Sequence, residues 1–211
     1  MGPRLGKYVK DQQGRVTKVN AIPGHSIPLG ALGVFILWFA WYGFNGAAAY
    51  HSDAELAQVF ATTTIAPAIA TVVTMLYTWK KNGKPDVSMC LNGALAGLVA
   101  ITAGCDVVSP IGAFFIGIIA GFVVVFGVEF LDKVIKIDDP VGAIAVHGFC
   151  GAAGTVLTGI FNINDGVWGA IAGNCSWADA FGYLGVQILG VVTVVSWVGA
   201  TMLLTFFLLK K

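Results

Sequence analysis

The chain has 211 residues, 57% of them hydrophobic and 11% charged, with 28 glycines and a formal net charge of +1. A soluble domain carries more surface charge than this, and a net charge near zero gives no basis for a nucleic-acid footprint. The apolar runs are continuous between clusters of charge and lack period-two alternation, which excludes a closed β-barrel and predicts an all-α polytopic membrane protein.

Residues 1–25 are mixed and basic, with Arg4, Lys7, Lys10, Arg15 and Lys18. They read as a loop or ribbon on the membrane surface, and no secretory signal is expected because residues 1–20 lack an apolar core. Residues 26–211 then form the membrane domain, with six predicted spans. Span 1 runs from about Pro28 to Asn45 and ends in the aromatic-rich WFAWYGFNGAAA. Ser52 to Glu55 is a capping-box pattern opening span 2, about Ala54 to Trp79, in which Pro67 is expected to introduce a kink. Lys80, Lys81, Gly83 and Pro85 make a turn into span 3, about Ser88 to Ala103. Ser109-Pro110 starts span 4, which continues to about Phe130. Span 5 opens at Asp139-Pro140, an N-cap carboxylate followed by proline, and is uncharged from Val141 to Phe161. A Gly/Asn-rich loop over 162–175 leads to Ser176, another helix start, and span 6 runs to about Leu209.

All twelve Lys and Arg residues fall in the N-terminal segment, the 2–3 turn, the 4–5 turn and the C-terminus. The positive-inside rule therefore places both termini on the cytoplasmic side. Gly93-x3-Gly97 and Gly117-x3-Gly121 permit close helix approach, and packing within one bundle explains them better than a dimerisation face. Cys90, Cys105, Cys150 and Cys175 have no metal-ligand spacing. Cys105 and Cys175 fall in loops on one side, and free thiols are expected there rather than a bridge.

His147 is the polar ring of span 5, seven residues past Pro140, or about 10 Å along a helix. An ionisable group at membrane depth is a functional candidate, whereas in a soluble core it would read as a histidine bonded to a neighbouring helix. Metal ligation would need more ligands, and His25 and His51 are predicted in loops on opposite sides. No metal or cofactor is expected. His147 and Cys150 stand at i, i+3, but the membrane interior has no acidic group to orient them, so an intramembrane Cys–His enzyme is disfavoured. Trp41 and Phe44, also at i, i+3, are either an interfacial aromatic belt or a cation–π site and hydrophobic gate. Asp138 and Asp139 read as N-cap and macrodipole residues at the cytoplasmic edge. Asn45 either terminates span 1 or bonds across helices. Composition alone leaves a generic channel or transporter, with a non-transporting accessory or sensing subunit as the alternative.

WFAWYGFN (38–45), GALAGLVAITAGC (93–105) and DDPVGAIAVHGFCGAAGTVLTGIF (138–161), introduced by PGHSIPLGALG (23–33), closely resemble the Amt branch of the Amt/Mep/Rh ammonium transporters. The resemblance implies a fold of eleven spans built from two inverted five-helix repeats and a last helix. The six spans here would be the sixth to eleventh, so the first repeat and the cytoplasmic tail are expected to be missing. It implies that His147 is the second of two pore histidines, Phe44 one of two stacked gate phenylalanines and Trp41 the tryptophan beside them. Ala48 stands where many members have a serine in the outer ammonium site. The resemblance further implies ammonium or ammonia as substrate, a cell-membrane homotrimer with one pore per protomer, and a PII-type signal protein as regulatory partner. A chain with half of the pore wall would not conduct alone.

Overall fold

In the computed structural model, residues 2–49 and 52–210 are described. Two short strands, β1 (Tyr8–Lys10) and β2 (Val16–Val19), precede the helices α1 (Ile27–Ala48), α2 (Asp53–Asn82), α3 (Val87–Thr102) and α4 (Pro110–Glu129). A π-helical turn, Phe130–Ile135, ends α4, and a second π-helical segment, Ile144–Phe149, leads into α5 (Cys150–Phe161). The chain closes with α6 (Val167–Ala172) and the 33-residue α7 (Trp177–Leu209). Among the described residues, five helical stretches are long and apolar enough to cross a membrane, counting Pro110–Ile135 and Ile144–Phe161 as continuous, while Val87–Thr102 is shorter.

The helix starts follow local chemistry. The hydroxyls of Ser26, Ser52, Ser109 and Ser176 each accept the backbone N–H three residues on, and Asp86 does the same for α3. Gly83 closes α2 at φ +75°, a left-handed position that a side chain disfavours. α2 continues through Pro67 as one helix.

α2 is the centre of the bundle. Its buried residues Ala66, Pro67, Ala70 and Thr74 recur at helical spacing, and α3 and α4 pack against them. The two glycine pairs make this possible. A methyl group at Gly97 would lie 2.7 Å from the Ala66 carbonyl oxygen, and one at Gly121 would lie 2.8 Å from Val73. Both pairs therefore serve contacts inside one chain, as their density suggested. The buried threonines of α2 turn their hydroxyls onto carbonyls: Thr78 onto Thr74 at 2.7 Å, and Thr62 across onto Cys105 at 2.8 Å. α1 lies against α2 and α3, α5 against α3, and α7 against α5 through Leu184 and Gly159.

Residues 1–25 hold an antiparallel hairpin, with Tyr8 opposite Val19, the ribbon of the two alternatives read from the sequence. Two sequence expectations are corrected. The 162–175 segment contains α6, and Asn162 organises it by accepting the N–H groups of Asn164 and Asp165. Ile163 N–H also donates to Val107 at 3.0 Å, tying this segment to the 3–4 loop. The fifth helix does not begin at Pro140. Gly142 adopts φ +74°, and helix starts only after it. The Asp139 carboxylate still caps that start, accepting Ala143 N–H at 2.9 Å and Ile144 N–H at 2.8 Å. His147 thus lies in the first turns of its helix, nearer to the helix start than its spacing from Pro140 implied.

Candidate functional site

The aromatic end of α1 is pinned to α3. Trp41 Nε1–H donates to Thr102 Oγ1 at 2.8 Å, and the Thr102 hydroxyl donates to the Leu98 carbonyl at 2.7 Å. One threonine therefore serves the tryptophan as acceptor and its own helix as donor. The Phe44 ring sits 5.8 Å from Trp41, tilted by 60°, and is 63% exposed. Ala48 is one turn further along α1 and is also exposed. Asn45 turns the other way: it is buried, and its Nδ2 donates to Thr63 Oγ1 on α2 at 3.0 Å. It bonds across helices, and α1 runs on past it to Ala48.

His147 stands in the π-helical segment. Ala145, Val146 and Cys150 are buried around it, whereas His147 and Gly148 are exposed. Among the described residues the imidazole has no hydrogen-bond partner. The wide turn has a steric counterpart on α4. Phe149 packs where a Cβ on Gly127 would be, since that atom would lie 2.7 Å from the Phe149 ring. Extra residues in a helical turn re-aim the following side chains, which is why such turns recur at functional sites. Cys150 Sγ lies 3.8 Å from the Ala120 carbonyl oxygen of α4, and the Cys–His pair raised by the i, i+3 spacing is not brought together.

α3 relates the two parts of this surface. Gly142 lies opposite Asn92, and Gly151 opposite Val99, so His147 falls between those levels of α3. Trp41 meets α3 at Thr102, its last residue. The Trp41–Phe44 pair therefore sits further along α3 than His147, on the side of the α3 C-terminus. Trp41 and Phe44 touch each other, and His147 is carried by a separate element packed on the same helix.

Sequence reasoning missed Thr102, which positions Trp41. A hydroxyl at the end of an apolar helix, two residues before Gly104, was the available signal. It also missed Trp38, whose Nε1 is buried with no partner among the described residues. His51 lies outside the described residues. All four cysteines are free, and burial pushes the Cys105 thiol up to about 11.

The model of the Ammonium Transporter Family matches residues 1–211. Ammonium transporter Amt2 of Archaeoglobus fulgidus is 42% identical over 217 residues, an alignment covering 100% of this chain and 45% of that protein. Putative ammonium transporter 1 member 5 of Arabidopsis thaliana is 37% identical, again over 100% of this chain and 45% of its own length. Among solved structures, a sensor Amt protein superposes with a TM-score of 0.87 at 36% identity, covering 100% of this chain and 49% of that one. Candida albicans Mep2 superposes with a TM-score of 0.75 at 29% identity, over 89% of this chain and 42% of its own. The chain thus spans less than half the length of these relatives. With a match along its whole length and several apolar helices long enough to cross a bilayer, this multi-pass membrane chain belongs to the ammonium transporter family.

Proposed function

We propose that this chain supplies one wall of an ammonium-conducting pore, with Phe44 and Trp41 at its mouth and His147 in its interior. One observation carries this reading: an exposed imidazole without a hydrogen-bond partner among the described residues, next to the buried Ala145 and Val146 and at a different level of α3 from Trp41 and the exposed Phe44. In a membrane such a group is retained for a task, because leaving it unpaired in hydrocarbon is costly. The six helical spans would be a second inverted repeat plus a closing helix, with residues 1–25 cytoplasmic and both termini on that side.

In this reading, ammonium is held at the mouth by the faces of Trp41 and Phe44 through cation–π attraction. Ala48 supplies no hydroxyl there, so the mouth lacks one hydrogen bond that a serine would give. Passage beyond Phe44 leaves the proton behind on water at the mouth, NH4+ + H2O giving NH3 + H3O+, because a bare cation is strongly disfavoured in a narrow apolar channel. Ammonia then passes His147, whose ring can accept a hydrogen bond at one nitrogen and donate at the other. Potassium has no proton to release and is excluded. The pore is closed by a wall outside this chain, and the intact protein is a homotrimer at the cell membrane, with a PII-type protein as a regulatory partner. No step in this scheme makes or breaks a covalent bond beyond this proton transfer, so the protein is a transporter and not an enzyme.

The test is uptake of ammonium by the intact protein carrying His147→Ala, with correct assembly checked by size-exclusion chromatography. Abolished or altered transport is expected. Unchanged uptake together with unchanged exclusion of potassium would remove His147 from the pore. The similarity to a solved sensor Amt protein supports a second reading, ammonium sensing without flux. Ammonium binding with no flux in proteoliposomes of the intact protein would favour it.

A further inference from the structure

Residues 136–143 join the π-helical end of α4 to the π-helical segment that carries His147, and the transport reading assigns them no task. Two left-handed residues stand in this connection, Lys136 at φ +63° and Gly142 at φ +74°. Among the described residues, Lys136 is the only non-glycine with a positive φ, a conformation that a Cβ disfavours. Backbone held in such a conformation persists only where its surroundings over-determine it. Here the N-terminal hairpin grips the chain on both sides of Lys136: Lys7 and Tyr8 hold Asp132 before it, and Arg4 holds Asp138 after it.

Beyond Asp138 the backbone is closed turn by turn as far as the imidazole. The Asp139 carbonyl oxygen accepts Gly142 N–H at 3.3 Å, and the Asp139 carboxylate caps Ala143 and Ile144. The Gly142 carbonyl oxygen accepts Val146 N–H at 2.8 Å, one residue before His147. Pro140 fixes one φ inside this turn. Gly142 is buried against Asn92 of α3, whose Nδ2 would lie 2.7 Å from a Cβ on that glycine. A displacement of Asp139 is therefore carried to His147 and not absorbed on the way.

The two grips differ in reach. Asp138 is joined to the capping residue by one peptide bond, whereas Asp132 is separated from it by the rest of the π-helical turn and by left-handed Lys136. Arg4 offers its guanidinium fork and its own backbone N–H to the two Asp138 oxygens, which fixes that side chain in place and direction. It also neutralises one of two adjacent carboxylates, so that Asp139 caps the helix without repulsion from its neighbour. We propose that Arg4 is a positioning residue for His147: its grip on Asp138 sets the Asp139 cap, and the cap sets the direction in which the imidazole points. Lys7 tethers the hairpin without this effect. The inference concerns the direction of the ring, and only its consequence for uptake rests on the transport reading.

The test is nitrogen-15 NMR of the histidine rings in the intact protein reconstituted in liposomes, alongside ammonium uptake. The His147 signals are those lost in His147→Ala. Arg4→Ala should shift these signals and lower uptake on the order of tenfold, as a small misplacement of a working group does. Lys7→Met, which also loosens the hairpin, should leave both as they are. Asp138→Asn should act in the same direction as Arg4→Ala, and the double substitution should be no worse than Arg4→Ala alone. Size-exclusion chromatography identifies a variant that misassembles. If Arg4→Ala does, Arg4→Lys, which keeps the charge but loses the fork, takes its place. Ring signals unmoved by loss of the Arg4 fork overturn the proposal. So do signals moved equally by Lys7→Met, which would make both grips plain tethers. Moved signals with unchanged uptake uphold the positioning and remove the transport role of His147.

Discussion

Arg4 and Asp138 are 134 residues apart in sequence and form a three-bond contact. The Arg4 backbone N–H and Nε–H donate to Asp138 Oδ2 at 2.8 and 2.9 Å, and Nη2–H donates to Oδ1 at 2.8 Å. With Lys7 and Tyr8 on Asp132, this fastens the N-terminal hairpin to the turn that leads into the His147 helix. The paired guanidinium and backbone N–H hold the Asp138 carboxyl down at about 2.

Arg4→Ala should release this fastening. The expected result is backbone hydrogen exchange over residues 4–19 and 131–139 that is faster on the order of tenfold, with α2 and α3 unchanged. The pH dependence has a definite sign. Asp138 has a lower carboxyl pKa when folded, so its contribution is complete above about pH 4 and is lost as pH falls through about 2. Exchange in these two segments should therefore be insensitive to pH 5–8, after correction for intrinsic rates. A latch that loosened already at pH 5 would contradict the ion-pair account.

Gly97 and Gly43 offer a matched pair of substitutions. A Cβ on Gly97 would strike the Pro67 backbone and the Ala66 carbonyl oxygen, while Gly43 has nothing within 4 Å of that position. Gly97→Leu should separate α2 from α3 at a cost of about 3 kcal/mol or more, whereas Gly43→Ala should be nearly neutral. Thermal unfolding of the intact protein in detergent distinguishes them, and equal stabilities would remove α2 as the packing centre.

Trp41→Phe keeps an aromatic ring but loses the donor to Thr102. The lost hydrogen bond is worth about 1 kcal/mol, and Thr102 keeps its bond to Leu98. The expected outcome is a small fall in Tm with a larger change in ammonium uptake, because Phe44 packs on the ring that has been freed. Thr102→Val removes the acceptor and should reproduce the uptake change with Trp41 intact. An effect confined to Trp41→Phe would show that the indole acts by itself and not through Thr102.

Helix starts at Ser52, Ser109 and Ser176 were legible because a cap involves only three neighbouring residues. The glycine pairs were legible for a similar reason, since a missing side chain can be read without knowing its partner. The start of the His147 helix was not, because a left-handed Gly142 displaces it and Asp139 reaches over that turn to cap it. Thr102 escaped notice because its role exists only when Trp41 of another helix arrives beside it.

By itself, the sequence determined that this is a multi-span helical chain, where most of its helices begin, and which family motifs it carries. These follow from runs of apolar residues, from local capping and from words of sequence that need no partner. Only the tertiary structure decided which way the key side chains face. It turned Asn45 inward onto Thr63, left Phe44 and His147 exposed, set them at different levels of α3, and clipped Arg4 to Asp138. Each of these outcomes depends on contacts between residues far apart in the chain, and helical periodicity alone does not specify which face of one helix meets which face of another.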